Sequence, residues 1–154
     1  MSSTEEQLLE LLLKTARGEL TVAESIGLDP FVLDKLADRA NGLVRLGKLD
    51  EAERLLVDLA RVDGLSPVLP FMLGACRVKQ KDLTGAVDAY GEGLRRAEKV
   101  RFDTMIPRVR ICRARALLDL GQIEAARDDL EAVAASRDAI LAKEASAALA
   151  SLAG

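Results

Sequence analysis

Three segments of this chain align on one pattern: Gly47-Lys-Leu-Asp-Glu-Ala52, Lys81-Asp-Leu-Thr-Gly-Ala86 and Gly121-Gln-Ile-Glu-Ala-Ala126. Ala52 and Ala86 stand 34 residues apart and Ala86 and Ala126 stand 40 apart, so the second unit carries about six extra residues. Self-similarity at such a period restricts a chain to a stack of supersecondary units, none of which can bury its apolar face alone. A 34-residue unit is the length of a helix-turn-helix, and each unit here has an apolar helical stretch on either side of its Gly or Lys turn. No period-two alternation bounded by turn signals is sustained anywhere, so no strand is predicted. The expected fold is all-α: a superhelix of three helix-turn-helix repeats.

Cap residues place the boundaries. Asp29-Pro30 and Ser66-Pro67 each put a capping side chain before a proline at the first helical position. Asp50 with Glu53 reads as a variant capping box, and Gly47 and Gly121 suit the left-handed residue that ends a helix. These signals predict helix pairs at about 30–46 and 50–63, 67–80 and 84–100, and 104–120 and 122–135. A final capping helix is expected over about 137–152, opened by Ser136. Ahead of the repeats, Thr4 to Gln7 reads as a capping box for a helix ending near Arg17, and Thr21 to Glu24 as another for a short helix over Val22–Ile26. The chain thus divides into an N-terminal helical segment, 1–28, and a repeat region, 29–154, with units at about 30–63, 67–100 and 104–135.

Half of the residues are apolar (49%), yet little chemistry accompanies them. There is no His, which excludes a Ser-His-Asp triad, a Cys-His pair and His-ligated zinc. Cys76 and Cys112 lack CxxC spacing and read as buried free thiols within helices. Asp128-Asp129 with Glu124 and Glu131 is a carboxylate cluster on a helix; it reads as a solvated face and not as a Ca²⁺ loop. Gly91-Glu-Gly93 fits no phosphate-binding pattern and falls inside a helix, where close packing accounts for Gly93 and nothing accounts for Gly91. The expectation is a non-enzymatic protein with no cofactor and no metal. The N-terminal stretch lacks a basic region, and Glu10 interrupts the run from Leu8 to Leu13, so neither a signal peptide nor a membrane span is read there. A cytoplasmic location without membrane insertion is expected.

Two surface features point to partners. The apolar residues of the first helix cover more than one face, so Leu8, Leu9, Leu12 and Leu13 are candidates for an interface with a second copy; the alternative is a helix that only caps the array. Residues 95–115 hold eight basic side chains and two acidic ones, against a chain total of −3. This strip is either solvated and paired with acidic neighbours or a contact for an acidic partner segment. Nucleic acid is excluded as the partner by a pI of about 5.1 and the lack of stacking aromatics near the strip.

A resemblance narrows the reading. Leu73-Gly-Ala-Cys-Arg77, Ala86-Val-Asp-Ala-Tyr90, Gly93, Ile106-Pro-Arg-Val109 and Leu117-Leu-Asp-Leu-Gly121 follow the N-terminal helix and the Thr21-Val-Ala23 turn. Over roughly 5–135 this order and spacing resembles the class II chaperones of bacterial type III secretion, tetratricopeptide-repeat proteins that hold translocators in the cytoplasm before export. The resemblance implies a homodimer formed through N-terminal helices and a concave groove that accepts an extended translocator segment, without ATP or metal. The groove positions it implies are Ala37, Asn41 and Val44 in the first repeat, Phe71, Ala75 and Val78 in the second, and Arg108, Ile111 and Arg115 in the third. The chain departs from the family in the first repeat, where relatives carry bulky aromatics in place of Ala37, Asn41 and Val44. The physical reading agrees in outline, since a solenoid of helix pairs has a concave side suited to extended peptides, with Phe71 and Met72 its largest apolar candidates. A generic repeat adaptor in another assembly is the alternative.

Overall fold

The computed structural model describes residues 3–154. Among them are nine helices and no strand: α1 (Ser3–Ala16), α2 (Val22–Ser25), α3 (Pro30–Arg45), α4 (Leu49–Val62), α5 (Val68–Lys79), α6 (Leu83–Lys99), α7 (Ile106–Asp119), α8 (Ile123–Ala134) and α9 (Ala139–Ala153). From α3 to α8 each helix packs on the one that follows it. In addition α3 touches α5 and α7 touches α9, so the array curls toward the first helix of each pair.

The repeat is visible in the backbone as well as in the sequence. Gly47, Lys81 and Gly121 all take left-handed conformations, with φ of 74°, 66° and 75°. Each ends its helix with the same pair of bonds. The N–H of Gly47 donates to the Val44 carbonyl at 3.0 Å and that of Lys48 to the Leu43 carbonyl at 2.9 Å. Lys81 and Asp82, then Gly121 and Gln122, repeat the arrangement onto Val78 and Arg77, and onto Leu118 and Leu117. Lys81 adopts a backbone state that glycine occupies at lower cost, which shows that the array imposes the turn. The aligned alanines Ala52, Ala86 and Ala126 are each fully buried where the paired helices cross. The extra length of the second unit is spread out. α6 has 17 residues against 14 in α4, α7 has 14 against 12 in α5, and the loop between α6 and α7 is slightly longer than its counterpart.

Several caps differ from the sequence expectation. Thr21 and Glu24 do form a reciprocal capping box, with Thr21 N–H donating to Glu24 Oε2 at 2.7 Å and Glu24 N–H to Thr21 Oγ1 at 3.0 Å. Asp29 caps α3 by accepting from Phe31 N–H at 2.9 Å. Thr4, however, lies inside α1, which is already helical at Ser3. Ser66 does not cap α5, because that helix begins one residue later, behind Pro67. Asp50 is in the first turn of α4 and is not its cap, which is Lys48. Asp138 and not Ser136 caps α9, accepting from Leu141 N–H at 3.0 Å.

Three core clusters follow one another along the array. The first joins α3, α4 and α5 around Leu56, Leu59 and Leu73; the second joins α6 and α7 around Tyr90, Leu94 and Val109; the third joins α7, α8 and α9 around Ile111, Leu130 and Val133. Two helical glycines make room for a neighbouring helix. A Cβ on Gly74 would stand 2.5 Å from two Tyr90 ring carbons, and one on Gly93 would stand 3.3 Å from the Pro67 carbonyl oxygen. Gly91, which the sequence left without a role, faces Arg113: a Cβ there would meet its Nη1 at 3.6 Å. No helix of the described residues is long and apolar enough to cross a membrane.

Candidate peptide groove and partner surfaces

The implied groove uses the first helix of each pair, α3, α5 and α7, and spacings of four and three residues, in either order, put each predicted triplet along one face of its helix. Asn41, Ala75, Arg108 and Arg115 are exposed, whereas Ala37, Val44, Phe71 and Val78 are part-buried against the core clusters. Ile111 departs from expectation. Only 4% of it is exposed, because α8 and α9 both pack on α7 and enclose it among Ala114, Leu130, Val133 and Ala145. It belongs to the core and is removed from the groove.

Phe71 rests on Tyr90 with ring centroids 5.7 Å apart and planes at 44°, the tilted geometry that aromatic quadrupoles favour. Burial pushes the Tyr90 phenol up to about 12. Beside Phe71 the structure opens a cleft of about 610 Å³ between the N-terminal turns of α5 and α7. Val68, Phe71, Phe102 and Met105 supply its apolar lining, with Thr104, Arg108 and Asp138 also around it. Sequence reasoning missed Phe102, Val68 and Met105. Phe102 had a signal: it is one of three Phe, set between Arg101 and Asp103 in a loop, where a chain gains nothing from an aromatic unless something covers it.

Most of the basic strip is already used. Arg95 and Arg96 pair with Glu92, and Arg96 also donates to the carbonyls of Ala60, Asp63 and Ser66, fastening the α4–α5 loop. Arg115 pairs with Glu144 of α9. Arg110 and Arg113 converge on Asp129, whose carboxylate accepts from Arg110 Nη1 at 3.1 Å, Arg113 Nε at 2.7 Å and Arg113 Nη2 at 2.7 Å. Asp129 is 1% exposed, which corrects its assignment to a solvated carboxylate face; Asp128, Glu124 and Glu131 are exposed as expected. Among the described residues, Lys99, Arg101 and Arg108 are the members of the strip without an acidic partner. Of the two free thiols, Cys76 is buried and Cys112 only part-buried, and burial raises the pKa of both.

The second partner surface is α1. None of its residues is buried; it packs on α2, and α2 in turn touches α4. Leu8, Leu9, Leu12 and Leu13 keep 59%, 45%, 60% and 44% of their surface in water, so the helix does not serve as a cap that buries these leucines on the array.

No family model matches the chain, and no curated protein matches it by sequence. Solved structures do. A type III secretion complex from Aeromonas hydrophila aligns with 25% identity and a TM-score of 0.77, covering 90% of this chain and 91% of that one. PcrH, solved from Pseudomonas aeruginosa, was also solved with the chaperone-binding region of PopD. That complex aligns with 26% identity and a TM-score of 0.70, covering 82% of this chain and 95% of that one. SycD, the type III secretion translocator chaperone of Yersinia enterocolitica, shares the fold at 23% identity and a TM-score of 0.73, covering 86% and 98%.

Proposed function

We propose that this chain is a chaperone of the same class as SycD and PcrH, holding an extended apolar segment of an exported protein in the concave groove of its repeats. The observation that carries the reading is the open apolar floor at the Phe71 cleft, set in a fold whose solved neighbours include complexes with translocator segments. An extended segment suits this floor because a solenoid of helix pairs presents one helix of each repeat in turn, each offering contacts to a different stretch of the segment. The mechanism is occupancy. Covering the apolar segment prevents aggregation or early insertion of the cargo, and no bond is made or broken. Such a role places the protein in the cytoplasm, beside the apparatus that exports its cargo. The exposed leucines of α1 are the proposed contact between two copies.

Co-expression tests the reading. The chain should form a soluble complex with an apolar, membrane-inserting protein encoded beside it, and that protein should precipitate when expressed alone. Phe71→Ala should weaken the complex in a direct titration while the helical content, followed by circular dichroism, is retained. Failure to bind any such protein, with capture of another component of an assembly, would establish the adaptor reading in its place.

A further inference from the structure

We infer that the cleft between repeats two and three reads a two-part signal in the bound segment: a bulky apolar side chain with an Asp or Glu within two positions of it. The inference rests on the groove reading above and specifies its ligand. Two observations carry it. The concave row of the first repeat, Ala37, Asn41 and Val44, offers no large apolar surface. The apolar area is instead concentrated at Val68, Phe71, Phe102 and Met105, around a cleft with room for a bulky side chain and the backbone that carries it. Val68 is 41% exposed and Phe102 44%, so both lose water contact when the cleft fills.

Charge supplies the second part. Five of the eight basic groups of the strip are tied to Glu92, Asp129 or Glu144. Of the three left without an acidic partner, Arg108 alone lines the cleft, exposed and beside Phe71 and Met105. Its guanidinium can take a carboxylate in a bidentate pair next to an apolar wall that limits water. An extended peptide advances about 3.4 Å per residue. A carboxylate that meets Arg108 while its neighbour fills the same cleft therefore belongs to one of the nearest two positions on either side. Asp138 forms no ion pair with Arg108; its Oδ1 accepts from Leu141 N–H at the start of α9. It also repels carboxylates at its own edge of the cleft, which directs the acidic residue toward Arg108.

Selection from a displayed library of random twelve-residue peptides on the full-length protein tests this. The expected winners carry a Leu, Ile, Met or Phe with Asp or Glu within two positions. Arg108→Glu should lower affinity for a synthetic winner about five- to tenfold and favour its Asp→Lys counterpart. Phe102→Ser, in an exposed loop where folding is not at risk, should weaken both peptides. Winners without an acidic preference, or affinities that stay within twofold in either variant, overturn the inference and leave the groove reading standing. If the wild-type protein retains no peptide at all, the groove reading falls and the inference falls with it.

Discussion

Replacing Leu9 and Leu12 of α1 with glutamate should turn a dimer into a monomer. The magnitude follows from exposure. Leu8, Leu9, Leu12 and Leu13 each keep about half of their surface in water. Fully burying a leucine is worth roughly 1.5–3 kcal/mol, so completing the burial of all four yields about 4 kcal/mol per copy and about 8 kcal/mol for a symmetric pair. Against this stands the loss of translational and rotational freedom, about 4–15 kcal/mol, so neighbouring apolar surface has to share the interface for the dimer to hold at micromolar concentration. Val22 and Ile26, at 42% and 69% exposed on the adjoining α2, are placed to do so. The double substitution removes about half of the leucine contribution and asks four carboxylates to enter the interface, which costs more than the remaining surface returns. Because no residue of α1 is fully buried in its own chain, the variant should fold as the wild type does. Sedimentation velocity from 1 to 100 μM should give a dimer that dissociates on dilution for the wild type and a monomer throughout for the variant. An unchanged mass in the variant, or a monomeric wild type at the highest concentration, would refute the reasoning.

Three further outcomes follow from the packing. Asp129→Ala should destabilise the protein by about 3–5 kcal/mol, because it strands the Arg113 guanidinium and leaves Arg110 only its longer pair with Glu98; a loss under about 1 kcal/mol in urea denaturation would show that water replaces it. Gly74→Ala should cost about 1–2 kcal/mol despite the better helix propensity of alanine, since the new methyl meets the Tyr90 ring and displaces Phe71 behind it; a stabilised variant would exclude that contact. Hydrogen bonds from Gln80 and Arg77 hold the Glu53 carboxyl below its ordinary value against the effect of burial. Its contribution is therefore present above the unfolded value near 4.3 and is lost as pH falls through the lower folded value. The advantage of the wild type over Glu53→Gln, about 1 kcal/mol at pH 7, should shrink steadily below pH ~4.3, and a difference that stays constant into acid would contradict this assignment.

The fold was legible because its punctuation is local. A left-handed turn residue followed by an apolar residue and then an alanine needs no tertiary knowledge to be recognised three times, and the helices fall within about two residues of where those signals put them. The caps that failed did so for an equally local reason. Ser66, Asp50 and Ser136 are each one or two residues from the true boundary, and every one of them is a plausible cap chemically. Which residue takes the role depends on where packing lets the chain enter the helix, and that information is not contained in the cap itself.

The site was harder to read for a different reason. A row of side chains at i, then i+3 or i+4, then i+7 marks one face of a helix without saying what lies over that face. On α5 the row Phe71, Ala75, Val78 is split, with Ala75 exposed while Phe71 and Val78 pack on the cluster that joins α6 and α7. On α7 the same construction fails at Ile111, since α8 and α9 both pack against that helix and close over part of the row. Asp129 illustrates the same limit with the opposite sign: one of a run of carboxylates is buried because two arginines from the neighbouring helix reach it, while its chain neighbour Asp128 stays in water. The basic strip is decided in this way too. Eight cations along the sequence look like one feature, but each is defined by the acid, if any, that another helix brings to it. Within the strip, pairing leaves Arg108 as the cation that lines the Phe71 cleft without an acidic partner, so the charge open to a ligand there is fixed by which arginines the fold neutralises, and not by how many the sequence supplies.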